Sequence, residues 1–247
     1  TAGTYLVRTF AFPADPNQSI RFSGSSEYIY RLTLTTGPFI DHTWPLAVAA
    51  DSQQHVRLEG WNLADGFTDV ALSTTTDRTA RYFDLQVANF ADVPVVPHPV
   101  AVEPTAEETP PSFQAPVTIT GRIAEPGEID EYTFTATKGQ TLIFKVESRE
   151  IGHPLDPVLV LLGSDGKVLA EADDATRGSE DTTLSHTVGA DGEYRLQVFD
   201  RFGNGGFRFV YLLTASVPQP AAVLSVAADA YTLAADKPLE IDLKLCQ

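Results

Sequence analysis

The chain has 247 residues, 43% of them hydrophobic, and a formal net charge of −16. That is length enough for one to two domains with a buried core. Carboxylates outnumber basic residues 33 to 17, so a phosphate backbone or an anionic membrane surface would be repelled and nucleic acid is excluded as a partner. No apolar run reaches the length that crosses a bilayer, which argues against membrane insertion. Cys246 is the single cysteine, so no intrachain disulfide exists. The sequence contains no Met and no basic-then-apolar leader, which predicts a chain processed or excised from something longer.

Residues 1–37 are expected to form a two-stranded hairpin. Gly3-Thr4-Tyr5-Leu6-Val7-Arg8-Thr9-Phe10 repeats the Gly, Tyr and Phe spacing of Gly192-Glu193-Tyr194-Arg195-Leu196-Gln197-Val198-Phe199. Glu27-Tyr28-Ile29-Tyr30-Arg31-Leu32-Thr33 likewise parallels Arg208-Phe209-Val210-Tyr211-Leu212-Leu213-Thr214. Such a repeat marks a modular array and makes the segment the last two strands of an earlier copy. A lone hairpin is marginal in water, so Tyr5, Val7, Tyr28, Tyr30 and Leu32 are expected to find cover on the following segment or in a neighbouring molecule.

Residues 38–96 change pattern. Gly37-Pro38-Phe39-Ile40-Asp41-His42-Thr43-Trp44-Pro45-Leu46, followed by His55-Val56-Arg57-Leu58-Glu59-Gly60-Trp61-Asn62-Leu63, resembles the immunoglobulin-like TIG (IPT) domains. The resemblance implies a small immunoglobulin-like β unit, with Val70 to Leu72 and Tyr82 to Val87 as later strands and the hairpin of residues 1–37 completing it. Residues 97–116 carry Pro97, Pro99, Pro104, Pro110, Pro111 and Pro116. Proline at this density reads as an extended inter-domain linker without ladder hydrogen bonds.

Residues 117–216 are the longest coherent stretch. Glu131 to Thr137, Gln140 to Val146, Pro157 to Leu162, Lys167 to Ala170, Thr183 to Val188, Glu193 to Phe199 and Phe207 to Ala215 are short runs rich in β-branched and aromatic residues. Turn chemistry separates them at Lys138-Gly139, Ser164-Asp165-Gly166, Ala190-Asp191-Gly192 and Gly203-Asn204-Gly205-Gly206. Seven such strands with no helical segment between them predict an all-β fold, two antiparallel sheets packed as a β-sandwich. Beyond it, Val223 to Ala227 and Leu239 to Leu245 read as the start of a further β domain over residues 217–247.

The ordered motifs Gly127-Glu128-Ile129-Asp130-Glu131-Tyr132-Thr133-Phe134, Lys138-Gly139-Gln140, Leu155-Asp156-Pro157-Val158, Asp165-Gly166, Asp173-Asp174 and Asp191-Gly192-Glu193-Tyr194 resemble the bacterial pre-peptidase C-terminal domain family over about residues 102–216. The resemblance implies a jelly-roll-like sandwich in a secreted protein, normally an accessory module beside a peptidase or other catalytic domain. In its calcium-binding members it also implies a cation held by an acidic linker and by the acids before the first aromatic strand. Carried over, these are Glu103, Glu128 and Asp130, with calcium as the implied cofactor. The linker here reads Glu103-Pro104-Thr105-Ala106, so the amide and carboxylate that follow the proline in the family are replaced.

The remaining chemistry is sparse. His42, His55, His98, His153 and His186 show no H-E-x-x-H or H-x-H spacing, and no G-x-S-x-G elbow is present, so no enzyme is predicted. His186 shares its strand face with Leu184 and Val188 and reads as a core or rim residue. Asp173-Asp174 and Glu180-Asp181, around Arg177 and Gly178, suit a second cation site, an Arg-bridged loop or a solvated loop. Asp156 is expected to bind backbone amides at a strand entry. Among the aromatics Trp44, Trp61, Phe67, Phe202 and Phe207, a surface patch centred on Trp61 and the loop residues Phe202, Asn204 and Phe207 is the candidate binding surface.

Its expected partner is an extracellular polysaccharide or protein polymer, or an adjacent domain of the parent protein. The combined reading is a non-catalytic accessory or adhesion segment of a larger exported bacterial protein, secreted or held at the cell surface or periplasm. The alternatives are a structural spacer without a ligand and a calcium-dependent carbohydrate- or collagen-binding module.

Overall fold

A computed structural model of the chain describes residues 3–11, 22–26, 28–64, 69–74, 78–104, 112–174, 181–218, 223–225, 241 and 244–246, and among these every regular element is a strand. The chain divides into two compact units, Thr1–Thr36 and Gly37–Gln247. In the first, the expected hairpin is reduced to one antiparallel bridge, Ala11↔Ser23. Around the bridge, Phe10 and Phe22 stack at 5.2 Å and Ser23 Oγ lies 3.0 Å from Tyr28 Oη. No ladder forms among the described residues of this unit, in keeping with the weak stability of an isolated two-stranded ribbon.

The second unit begins with a module of two three-stranded sheets. Strands β1 (Phe39–Trp44), β3 (Gln53–Trp61) and β4 (Val70–Ser73) form one sheet in the order β1-β3-β4. Strands β2 (Val48–Ala49), β6 (Ala91–Val96) and β5 (Thr79–Tyr82) form the other, in the order β2-β6-β5. Ile40, Val48, Val56, Leu58, Leu72, Val87 and Val93 fill the space between them. The inward alternation of Val56 and Leu58 on β3 gives that strand one buried and one wet face. Among the described residues, the strands of both sheets come from residues 39–96.

The sandwich consists of two five-stranded sheets. One has the order β13-β12-β15-β10-β8, from Val168–Ala172, Pro157–Leu162, Gly192–Asp200, Asp130–Ala136 and Ser112–Phe113. The other has the order β14-β11-β16-β9-β7, from Thr182–Thr187, Thr141–Glu147, Val210–Ser216, Val117–Arg122 and Val100–Val102. The shared core includes Tyr132, Phe134, Phe144, Leu159, Leu196, Tyr211 and Leu213. All seven strands expected from the alternation are present.

The proline-rich segment corrects the expectation of a free linker. Val100–Val102 pairs in parallel with β9 and Ser112–Phe113 in parallel with β10, each at the edge of its sheet. An edge strand needs one hydrogen-bonding side only, so prolines that lack an N–H are tolerated there. Beyond the sandwich, β17 (Val223–Ser225) pairs antiparallel with β18 (Lys244–Cys246); residues 226–240 lie outside the described residues.

Strand β16 joins the two modules. Its first four residues are all buried, because Tyr211 and Leu213 enter the sandwich core while Val210 and Leu212 pack with Leu46 and Ala47 of the six-stranded module. Trimming Leu212 to Ala removes contacts from that seam alone. Leu212→Ala is expected to destabilise the chain by about 2–4 kcal/mol, read as a lowered urea midpoint at unchanged slope.

Candidate functional site

The seam is where charged and aromatic side chains from both modules meet. Its local cause is a β-bulge: Ile40 stands opposite Gly60 and His42 opposite Glu59, leaving Asp41 as the additional residue. A Cβ on residue 60 would collide with the Phe39 carbonyl and crowd the Asp41 amide, so the bulge requires glycine there. The kink turns two consecutive polar side chains toward the sandwich.

His42 is buried and held from both sides, with Nδ1 2.9 Å from Asp41 Oδ2 and Nε2 3.2 Å from Glu59 Oε2. Glu59 also accepts from Arg122 Nη2 at 2.5 Å and from Arg57, and Arg208 Nε reaches Asp41 Oδ1 at 2.8 Å. Burial opposes charge on His42, but hydrogen bonds to Asp41 and Glu59 outweigh it and raise its pKa. Burial likewise works against the Glu59 anion, yet His42 and the arginines hold its carboxyl down at about 2. His153, from the turn between β11 and β12, stands edge-on to His42 at 5.5 Å between ring centres. Burial, reinforced by the neighbouring His42, depresses its pKa to about 4, so it is neutral at pH 7. Asp41, His42 and His153 line a cleft of about 560 Å³ together with Asn89, Phe90 and Glu150.

Two of the sequence-nominated aromatics meet beside this network. Trp61 ends β3 at Asn62, whose φ of 55° turns the chain away. Its ring lies 5.9 Å from Phe207, edge to face, and 6.0 Å from Phe39. Trp61 is 47% exposed and Phe207 40%. Arg122 lies over the Trp44 ring at 4.7 Å and the Phe207 ring at 5.7 Å, a cation–π contact with one member of the pair.

Phe202, 70% exposed, shares the β15–β16 loop with Phe207. That loop is pinned: buried Asp200 accepts from the Phe202 and Asn204 amides at 3.0 and 2.8 Å, and Gly206 N donates to Ile123 O at 2.8 Å. Asn204 also gives its side-chain amide to Asp200 at 3.0 Å, so its first role is to shape the loop. Phe67 lies outside the described residues.

The three carboxylates nominated for calcium lie near one another but face protein donors. Glu103 accepts from Arg122 N at 2.8 Å, Glu128 from Glu125 N at 2.8 Å, and Asp130 from Tyr211 Oη at 2.5 Å. Tyr211 Oη in turn lies 2.7 Å from Tyr132 Oη, in space that Gly121 leaves open by having no side chain. Among the described residues, three potential metal-ligand atoms come within 4.8 Å of one another only at Asp41, His42 and His153. Burial, and then repulsion from Asp130, pushes Glu103 up to about 8. Burial, and then Glu128, pushes Asp130 up to about 7, against the Tyr211 hydrogen bond.

The other polar nominations resolve as structure. Asp181 is buried and accepts from the amides of Ser148, Arg149 and Glu150, closing the turn after β11. Arg201 bridges to Asp173 at 2.7 Å and to Asp174 at 3.8 Å, while Arg177, Gly178 and Glu180 lie outside the described residues. Asp156 is a correction: its Oδ1 is buried with no hydrogen-bond partner, and Asp200 does the amide binding at that strand entry. The convergence of Asp41, His42 and His153 carried no sequence signal, because His153 comes from a turn far along the chain.

The described residues thus define an all-β, multi-module chain whose largest module is a two-sheet sandwich. No family model matches it, and no curated protein matches it in sequence. Among solved structures it is similar to the pre-peptidase C-terminal domain of collagenase from Bacillus anthracis. The identity there is 16% and the TM-score 0.36, covering 46% of this chain and 100% of that one. It is also similar to a periplasmic inhibitor of g-type lysozyme from Aeromonas hydrophila, at 16% identity and a TM-score of 0.33, covering 49% of this chain and 98% of that one. A third similarity is to a Clostridium perfringens structure containing an M60 catalytic domain with two CBM51 domains. There the identity is 12% and the TM-score 0.30, over 73% of this chain and 23% of that one.

Glu103 and Asp130 generate a pH dependence with a definite sign. Free carboxyls ionise near pH 4, whereas these hold their protons to about 8 and about 7. The folded state therefore binds more protons between those limits, and stability falls as the pH rises through that window. Glu103→Gln is expected to reduce the loss of melting temperature between pH 5 and pH 8. The expected gain at pH 8 over wild type is about 2 kcal/mol after solvent screening of these half-buried groups.

Proposed function

We propose that the chain is a non-catalytic accessory segment of a larger exported bacterial protein, holding its parent on an extracellular polymer through the Trp61–Phe207 platform. The observation that carries this reading is the edge-to-face pair itself, contributed by two modules, 5.9 Å apart and exposed on both rings. Aromatic faces stack on the apolar faces of sugar rings and on protein side chains, and they do so with least entropy loss when held rigid. Here rigidity comes from the strand end at Trp61 and the Asp200-pinned loop that carries Phe202 and Phe207. The resemblance to pre-peptidase C-terminal domains supports the accessory role. Among the described residues no helix is long and apolar enough to cross a membrane.

Polysaccharide is the first expected ligand and collagen the second. In sedimentation with insoluble cellulose, chitin, peptidoglycan and collagen, wild type is expected to be retained on at least one polymer. Trp61→Ala and Phe207→Ala, checked for folding by circular dichroism, are expected to weaken that retention at least about tenfold, or about 1.4 kcal/mol. Phe202→Ala should have a smaller effect. Retention on none of these polymers would favour a spacer instead.

The calcium-dependent alternative requires Glu103, Glu128 and Asp130 to leave their present donors, and Glu103 and Asp130 to lose protons as well. Thermal unfolding of chain already stripped of bound metal is expected to give the same midpoint with and without millimolar calcium. A rise of several degrees in calcium, abolished in Asp130→Ala, would instead assign the cation to these carboxylates.

A further inference from the structure

We propose that Asp41, His42 and His153 form a binding site for a single divalent first-row metal ion of the zinc class, which clamps the six-stranded module to the sandwich. One potential ligand atom from each residue lies within 4.8 Å of the others. Ligands of a tetrahedral zinc ion at about 2.0–2.2 Å stand about 3.3 Å apart, so modest side-chain rotation closes the set. Two imidazoles and one carboxylate are the donor types that zinc and its neighbours take, whereas calcium and magnesium take oxygen.

Three further observations point the same way. His153 is 7% exposed, yet its Nδ1 has no hydrogen-bond partner, a costly arrangement for a buried polar atom that a metal bond would relieve. His42 carries an outer partner on its second nitrogen, Glu59 Oε2 at 3.2 Å from Nε2, which is the carboxylate–histidine–metal arrangement that fixes a ligating ring. Arg208 holds Asp41 Oδ1 at 2.8 Å, leaving Oδ2 on the side of His42. All three candidate ligands line one cleft, so an ion can enter from it and a fourth ligand can be water. Asp41 and His42 belong to β1, and His153 to the turn between β11 and β12, so a bound ion ties one module to the other.

The test uses the full chain, stripped with EDTA and dialysed against Zn(II), with bound metal counted by elemental analysis and affinity measured by calorimetry. Co(II) substitution, followed by its visible d–d absorption, reports the coordination number. The expected result is one zinc per chain, a tetrahedral or five-coordinate Co(II) spectrum and a melting temperature raised by several degrees. His153→Ala and Asp41→Asn are each expected to weaken affinity at least 100-fold. Glu59→Gln is expected to weaken it about 10–100-fold with stoichiometry unchanged.

His55→Ala removes the exposed His55–Asp69 pair and is expected to leave binding intact. Circular dichroism checks that each variant folds, and His153→Gln replaces His153→Ala if that variant does not. Zinc uptake well below one per chain, or affinity unchanged by loss of His153, would overturn the proposal and leave the cluster a network of charges alone.

Discussion

Strand β16 has to be covered on both faces, and much of the described architecture follows from that need. Tyr211, Leu213 and Ala215 close the sandwich core, whereas Val210 and Leu212 point the other way and are dry only because Leu46 and Ala47 lie on them. Full burial of one Leu or Val side chain is worth about 1.5–3 kcal/mol, so separating the modules would expose several kcal/mol of apolar surface. A buried hydrogen bond from Leu46 N to Thr120 Oγ1, at 2.9 Å, sets how the modules meet. With that docking in place, Arg122 at the end of β9 and Arg208 just before β16 arrive beside Glu59 and Asp41.

Two carboxylate clusters in the same unit show how neighbours decide charge. Asp41 and Glu59 are surrounded by His42 and by Arg57, Arg122 and Arg208, and both remain ionised, Glu59 down to about 2. Glu103 and Asp130 are also withdrawn from water but have mainly each other, Glu128 and two phenols for company, and they keep their protons to about 8 and about 7. Desolvation is the first cost in both places, and only opposite charge offsets it. The first cluster is accordingly a place for ions and the second a store of protons. Each is built across elements, the first across two modules.

The aromatic platform depends on the same docking. Trp61 alone would be an exposed ring at the end of a strand, and Phe207 alone an exposed ring on a loop. Packed together, with Arg122 against the Phe207 ring and Asp200 bracing the loop, they form a surface that loses little entropy on contact. The metal cluster lies next to it, since the His42 ring is 5.0 Å from that of Phe207. The proposed contact surface and the proposed metal site are therefore adjacent parts of one junction.

Alternation of apolar and polar residues and the glycine turns specified the seven sandwich strands, because period-two burial is written locally into each strand, as in the buried Leu142, Phe144 and Val146 that alternate with partly exposed residues along Thr141–Glu147. The acidic composition was equally legible, and Trp61, Phe202 and Phe207, singled out as aromatics for a surface, are exposed. Pairing partners were not: the edge strands Val100–Val102 and Ser112–Phe113 sit among prolines, and only a sheet with an open edge makes strands of them. Among the described residues of the expected hairpin over 1–37 the pairing is the single bridge Ala11↔Ser23, since sequence similarity carries the strand pattern but not a neighbouring sheet to stabilise it. Which polar groups converge was likewise decided by tertiary structure. Glu103 and Asp130 read as carboxylates for a cation, whereas their burial raises both, and His42 and His153 share no spacing that a motif could hold. A sequence encodes the residues along each strand, whereas convergence of distant side chains depends on how whole modules dock.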